Sequence, residues 1–518
     1  MKKTVIFACL TLLSIFSLCA EKFKIKDAKI NTSGKYKFAT TKPYAVEIQY
    51  PIDKKTVFTE ESLTSYLAFY KQQLINSRYF EEVNVAYETA SSDEGLDENS
   101  ITEVIVLIDL KDSNHFLAVP YPTFKDDINE LSITPKLKTK DTNFLGTLTP
   151  LAFDLNIEIV KDKDEDFFQF NPGMNISYDM PFKFNHFNLT WVNDYSLSYT
   201  FGNDTPEWDA KTGLEAEVPF NRFSLIAEFY QYSYRELKYR KFDDDLYFAE
   251  EFDFSVPIKV YKFKNFTNLI YKPSVGYSWN WDFDGINPEN DSLSSPKIYF
   301  KHSISNSQIN WKNNFRKGYS VSLSNKWNYN FQRKDLSPSI TFESKLYTNY
   351  ILEDRNYLDI AGICADLYSF WYFDAFNSYY DNSLSGYGEG LGNRLRGIPN
   401  NFYFGNESPS HTTSAAIVLN LDFPVDVYKT NFKHDILNFD LQLSPFMDIA
   451  IFRDRALPLQ TNSAICIGGE ALVYPKKWSS FTIRVSLGVD MKAAAAEPNF
   501  IKGALHNKEL FIGLGLAY

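Results

Sequence analysis

From about residue 147 onward the chain alternates apolar and polar residues over long runs. Leu151, Phe153, Leu155, Ile157 and Ile159 share one parity, and Ala152, Asp154, Asn156 and Glu158 share the other. Leu189, Trp191, Tyr195, Leu197, Tyr199 and Phe201 oppose Thr190, Asp194, Ser196, Ser198 and Thr200. Phe481, Ile483, Val485, Leu487 and Val489 oppose Thr482, Arg484, Ser486, Gly488 and Asp490. Successive side chains of a strand point to opposite faces, so each run carries one apolar and one polar face. The runs reach about 10 residues, the length of a strand tilted across a bilayer, whereas soluble strands average about 5–6. A soluble sandwich also alternates, but rarely at this length. The pattern predicts an all-β transmembrane barrel.

Composition agrees. Aromatic residues make up 17% of the 518, yet the mean hydropathy is only −0.31. Alternation reconciles the two, because each apolar residue is followed by a polar one. A net charge of −12 argues against nucleic acid as the main partner. Two of the four cysteines lie in the leader, which excludes a disulfide scaffold, and Cys364 and Cys466 read as small buried or lipid-facing residues. The six histidines (115, 186, 302, 411, 434 and 506) have no ligand spacing, so neither a metal nor another cofactor is expected. No nucleophile elbow or phosphate loop is present, and the glycines at 386, 388, 390 and 392 fit a hinge better than a nucleotide site. The chain does not read as an enzyme.

Lys2 and Lys3, an apolar run from Val5 to Leu18, and Cys19-Ala20 form a secretory signal over residues 1–20. The run is shorter than the roughly 17–25 residues a membrane helix needs. Cleavage after Ala20 is expected. The alternative is lipidation of Cys19, which Leu18 disfavours.

Residues 21–112 read as one small α+β domain. Thr59 is an N-cap candidate followed by Glu60 and Glu61, after which Leu63, Tyr66, Leu67, Tyr70 and Leu74 recur on one helical face. The period then changes to two at Val83, Val85 and Tyr87, and again at Val104, Val106, Ile108 and Leu110. An earlier strand is expected at Phe23–Ile30 or at Tyr44–Tyr50. A linker follows over 113–142, and the barrel over 143–518.

Proline-bearing turns recur at Asp179–Phe182, Glu217–Phe220 and Ser255–Ile258, with prolines at 181, 219 and 257. Further turns are expected at Arg316–Gly318, Glu353–Asn356, Phe423–Val425 and Tyr474–Lys476. Seven short turns on one side, with both barrel ends on that side, imply 16 antiparallel strands. In the last strand Leu510, Ile512, Leu514, Leu516 and Tyr518 face one way, and Phe511, Gly513, Gly515 and Ala517 the other.

A small α+β domain followed by such a barrel resembles the BamA/TamA superfamily of outer-membrane assembly and secretion proteins, the surface antigen D15-like group. The helix ending Gln72–Phe80 and the strand Glu81–Tyr87 resemble a POTRA domain. Asp141-Thr142-Asn143-Phe144-Leu145-Gly146 is similar to the family's lead-in to the first barrel strand. Leu395-Arg396-Gly397-Ile398 resembles the family's Arg-Gly motif, departing from it at Ile398, where the family has an aromatic. On the counted strands it falls in the sixth outer loop, where the family places it. Asn420-Leu421-Asp422-Phe423 resembles the family's acidic position. Phe446-Met447-Asp448-Ile449-Ala450 resembles Phe-x-Asp-x-Gly, with Ala450 in place of glycine.

The resemblance implies that loop six folds into the lumen and that Arg396 pairs with Asp448, with Asp422 or Asp440 nearby. Gly397 would let the backbone pass close to the wall. Arg394 is the rival for the pairing role. The C-terminal residues Leu514, Gly515, Leu516 and Tyr518 resemble the family's assembly signal, and the two strand glycines would soften a seam between the first strand (about 147–160) and the last (510–518). The function implied is insertion or translocation of other outer-membrane proteins. The partners implied are unfolded outer-membrane or secreted clients, the bilayer, and an accessory protein met through the POTRA domain. The N-terminal domain and both termini would lie in the periplasm. A two-partner-type secretion transporter, and a channel or adhesin barrel without a client, are the alternatives.

Overall fold

The computed structural model describes residues 21–35, 39–90, 101–126, 130–162, 168–201, 206–235, 246–282, 295–332, 334–351, 360–373, 394–397, 413–434, 437–454, 461–496 and 508–515. The signal segment, Ile398, the 386–392 glycines, Leu516 and Tyr518 lie outside them. The chain divides into two units, Met1–Ser113 and Asn114–Tyr518.

The first unit is a four-stranded sheet covered by helices. Its elements are β1 (Lys22–Ser33), α1 (Pro43–Gln49), β2 (Val57–Thr59), α2 (Glu60–Asn76), β3 (Phe80–Thr89) and β4 (Ile101–Asp112). The strand order is β2-β1-β4-β3, with β1 parallel to β4 and β3 antiparallel to it. Of the two early strand candidates the first is the strand; Tyr44–Gln49 is helical. Thr59 caps α2 through a reciprocal capping box with Ser62. Leu63, Tyr66, Leu67, Tyr70 and Leu74 are all buried, as are Val104, Val106, Ile108 and Leu110 of the sheet. The Tyr66 hydroxyl accepts from Asp53 N at 2.7 Å, and burial pushes its phenol up to about 12.

The second unit opens with β5 (Phe116–Asp126), β6 (Glu130–Asp141), β7 (Leu151–Asp162), β8 (Gln169–Phe184), β9 (Phe187–Ser198), β10 (Glu207–Pro219), β11 (Ser224–Arg235) and β12 (Leu246–Ser255). There follow β13 (Ile258–Lys262), β14 (Asn268–Trp281), β15 (Lys297–Lys312), β16 (Phe315–Asn330), β17 (Asp335–Ile351) and β18 (Ile360–Tyr372). The last are β19 (Thr413–Asp422), β20 (Val425–Lys429), β21 (Phe439–Asp454), β22 (Thr461–Pro475), β23 (Ile483–Asp490), α3 (Met491–Ala496) and β24 (Lys508–Leu514). All the strands of this unit close into one antiparallel barrel.

The strand count differs from the expected 16. The ring has twenty segments, but β12 and β13 share the neighbour β14, and β19 and β20 share β21, so each pair is one interrupted strand. Among the described residues eighteen strands therefore close the ring. The two additional strands are β5 and β6, in the stretch 113–142 read as a linker. Pro120, Pro122 and Pro135 spoil there the alternation that marks the other strands. The last strand β24 consequently borders β5, not β7, which corrects the expected seam.

The proline turns also shift. Proline interrupts a ladder by lacking a donor, but it does not by itself reverse a chain. Ser255–Ile258 and Phe423–Val425 interrupt a strand, and the reversals come later, between Lys262 and Asn268 and between Lys429 and Phe439. Asp179–Phe182 lies inside β8, ahead of a reversal at Asn185-His186. Arg316–Gly318 lies inside β16, after a reversal at Asn313 and Asn314 with φ of 48° and 63°, the left-handed pair that tight hairpins favour. Pro219 and Pro475 do stand at strand ends, and Glu353–Asn356 lies outside the described residues.

Outward residues of this ring are apolar and exposed: Ile157, Trp191, Phe229, Phe300, Leu346, Ile451 and Leu487 among them. Such a surface belongs in lipid, where a closed barrel satisfies every backbone group internally. No helix among the described residues is long and apolar enough to cross a membrane. Leu323, at the middle of β16, is 44% exposed on this face. Leu323→Arg should cost about 2–4 kcal/mol in urea unfolding from lipid vesicles, the range for a cation at the bilayer midplane. Ser324→Arg, one residue along and inward, should be close to neutral, and equal costs would refute the assignment of faces.

Candidate functional site

The site begins with the parity of β21. Gln442, Ser444, Phe446, Asp448, Ala450 and Phe452 are buried on the inner face, while Leu443 and Ile451 are exposed on the outer. Ala416, Val418 and Asn420 of β19 face the same interior. Register sets Asn420 opposite Asp448, and Asp422 opposite Phe446. The inward parity assigned to both carboxylates from sequence therefore holds in the fold.

Residues 394–397, between β18 and β19, lie against this wall. This connection is the sixth on its side counted from β7, and the seventh once the β5–β6 hairpin is included. Leu395 is fully buried in an inner apolar cluster with Tyr368, Phe370, Val418, Phe452 and Cys466. Cys364 is likewise buried, so neither barrel cysteine faces lipid.

Arg396 is only 3% exposed, and Asp448 not at all. Its Nε donates to Asp448 Oδ2 at 3.0 Å and its Nη2 to Asp448 Oδ1 at 2.6 Å, a bidentate fork. The Arg396 backbone N–H adds a third bond to Asp448 Oδ2 at 2.8 Å. Nη1 donates to Asp422 Oδ1 at 2.5 Å and to Glu470 Oε1 at 3.3 Å. The guanidinium lies 3.8 Å from the centre of the Phe446 ring. Burying a cation this fully requires such pairing, since an isolated buried charge costs far more than folding can supply.

Asp440 is not part of the cluster: its carboxylate takes Asn314 Nδ2 at 3.0 Å and sits 3.7 Å from Lys476 Nζ. Arg394 is not the pairing arginine. Its guanidinium stacks 3.7 Å from the Tyr368 ring centre, with Glu343 at 3.8 Å, and its backbone carbonyl accepts from Asn420 Nδ2 at 2.8 Å.

Sequence reasoning missed four members. Glu470 of β22 completes the ring of carboxylates, and Arg484 of β23 approaches it with Nε 2.9 Å from Oε1. Arg484 also lies 4.6 Å from the Phe511 ring of β24, so contacts run from β19 to the last strand. The third member is Gly488. Gly397 has φ of +109°, and a Cβ there would fall 2.5 Å from Val489 N; a Cβ on Gly488 would fall 2.6 Å from Gly397 N. The loop backbone and β23 therefore touch glycine to glycine. The fourth is Gly468, whose missing side chain leaves room for Phe446: a Cβ there would stand 2.5 Å from its ring. An inward charge on the Glu470 parity of β22 was the readable signal for the first of these.

The Asp141–Gly146 motif forms a turn between β6 and β7. Asp141 Oδ1 accepts from Asn143 N at 2.9 Å and faces His115 Nδ1 at 2.6 Å, and Asn143 Oδ1 accepts from Leu148 N at 2.8 Å. Leu514 and Gly515 close β24, with Gly515 N bonded to Thr482 O at 2.8 Å. Among the described residues no group of His, Cys, Asp and Glu could hold a metal ion. The oxygens around Arg396 serve guanidinium groups.

The fold and site together define a closed β-barrel whose interior carries an inserted Arg-Gly segment held by carboxylates. No protein-family model and no curated protein matches the sequence. Among solved structures the chain is similar to BamA from Haemophilus ducreyi lacking POTRA domains 1-3, at 12% identity and TM-score 0.34, over 95% of this chain and 83% of that one. It is similar also to CdiB from Acinetobacter baumannii (11%, TM-score 0.42, 91% and 70%) and CdiB from Escherichia coli (7%, TM-score 0.42, 90% and 73%).

Removing Arg396 leaves a fully buried Asp448 without its cation. Arg396→Ala should cost about 3–5 kcal/mol, the range for breaking a buried pair, and Arg394→Ala distinctly less, by thermal unfolding on semi-native gels. Asp448→Arg should restore Arg396→Glu only in part, since Asp422 and Glu470 still repel the introduced glutamate; no rescue at all would refute the pairing. Gly488→Ala tests the close approach without touching a charge. It should expose 394–397 to protease while the barrel stays folded, and unchanged protection would count against the glycine contact.

Proposed function

We propose that this chain is an outer-membrane protein of the BamA/TamA type that assists insertion or translocation of other outer-membrane proteins. The observation that carries the reading is Arg396, held bidentately by Asp448 inside a closed barrel, as the family-like Arg-Gly and Phe-x-Asp motifs lead one to expect. The first unit is then a POTRA-like domain in the periplasm. Its edge strand β3 offers backbone groups to an extended client, which needs no particular sequence. The ring's first and last strands, β5 and β24, form the seam at which the ring would open to a client. The lock on Arg396 keeps the inserted loop in one arrangement. Such a buried ion cluster adds little net stability but can specify a single geometry.

Depletion of the protein in its host, with quantitative mass spectrometry of outer-membrane and released fractions, tests the reading. A fall in other barrel proteins supports insertion and names the clients. Loss of one large secreted protein, with barrels unchanged, assigns a secretion transporter instead. No change in either fraction, with depletion verified, removes client handling and leaves a channel or adhesin.

A further inference from the structure

The prolines of the first barrel hairpin all turn away from its own ladder. Thr142 N donates to His115 O at 2.7 Å, one step beyond the Phe116–Asp141 pair, so the odd residues of β5 bond to β6. The even residues face the other way, toward β24. Two contacts agree: Asn114 N donates to Lys477 O, and Phe116 O accepts from Trp478 Nε1, each at 2.8 Å, both in the connection that precedes β23. Pro120 and Pro122 are even. Two successive positions of β5 therefore offer no N–H to β24.

On β6 the alternation reverses, and the odd residues face β7. Pro135 is odd, and the β6–β7 register indeed passes from Ile133–Ile159 to Lys136–Asn156 without it. Pro122 and Pro135 stand directly opposite each other, so both flanks of the hairpin lose donors at one level. The prolines cost the β5–β6 ladder nothing. Other prolines inside strands, such as Pro273, Pro338 and Pro445, stand singly in theirs. Within lipid no water replaces a missing bond, so these two flanks are weak lines in the wall.

We infer that the β5–β6 hairpin is a displaceable insert: it closes the ring between β24 and β7 as a unit, and leaves as a unit to bare the edge of β7. The occupant of the bared edge is an extended, proline-free segment of alternating polarity, such as a barrel strand. That occupant rests on the proposed function; the displacement does not.

Lys138 and Asp154 are paired across β6 and β7 in the narrow, non-hydrogen-bonded type of position, whose Cα separation suits a disulfide. The full-length protein with Asp154→Cys, in detergent micelles, is incubated under mild oxidation with a synthetic peptide of residues 130–141 carrying Lys138→Cys and Pro135→Ala. A mixed disulfide should form, and should fall at least fivefold when Pro120→Ala, Pro122→Ala and Pro135→Ala restore the donors. The protein without Cys at 154 controls for Cys364 and Cys466, and gel mobility checks folding. No adduct, or equal adduct with and without the prolines, overturns the proposal. A second variant, Lys138→Cys with Asp154→Cys, locks the hairpin when oxidised and is assayed for assisted folding of a barrel protein into vesicles. Loss of assistance, regained on reduction, supports displacement in service of a client. Adduct formation with assistance absent from every form would refute the client reading and leave the displacement standing.

Discussion

A guanidinium that is almost wholly buried dictates much of what surrounds it. Arg396 offers five N–H groups in a fixed plane and cannot lose its charge, so acceptors must be brought to it. They come from three strands: Asp422 of β19, Asp448 of β21 and Glu470 of β22. Those carboxylates reach one point only if the registers of the three strands are correct. A one-residue slip would turn Asp448 to the lipid face and bring Met447 or Ile449 inward. The cluster therefore selects the register of its wall as much as the wall positions the cluster.

Small residues make that arrangement geometrically possible. Gly397 and Gly488 allow loop and strand backbones to meet where any side chain would collide. Gly468 leaves space for the Phe446 ring, whose centre lies 3.8 Å from the guanidinium. Leu395 then seats the segment in an apolar cluster beside the ions, so that desolvation of the charges and burial of the leucine occur together. Ion pairing supplies orientation, while packing supplies the attraction that holds the segment down.

Much of this was legible in the chain. The helical face from Leu63 to Leu74 and the capping role of Thr59 followed from spacing and side-chain chemistry, because a helix end and an amphipathic face are local properties. Parity assigned Asp422 and Asp448 to the interior, because alternation along a strand is also local. The choice of Arg396 over Arg394 was not readable, since both belong to a loop with no register. Glu470, Arg484 and Gly488 escaped because their partners are set by pairing between strands distant in sequence. The strand count failed for a different reason. Pro120, Pro122 and Pro135 conceal a hairpin, while Pro257 and Pro424 mimic turns inside strands. In this barrel Pro257 and Pro424 mark where a strand is interrupted, and positive φ at residues such as Asn313 and Asn314 marks where the chain reverses.

Interactions are accordingly distributed unevenly around the ring. The ionic row passes from Asp422 through Arg396, Asp448 and Glu470 to Arg484, and reaches β24 at the Phe511 ring. The next strand is β5, whose edge toward β24 lacks two successive donors. Among the described residues the row thus ties the inserted loop to the wall on one side of the weak flank and ends at β24. A shift in Arg396 is felt through Glu470 and Arg484 as far as β24. Coupling carried by contiguous packed and charged groups links the lock and β24, and it acts equally in both directions. The position of β24 and that of the inserted loop therefore depend on each other, up to the flank that the prolines of β5 weaken.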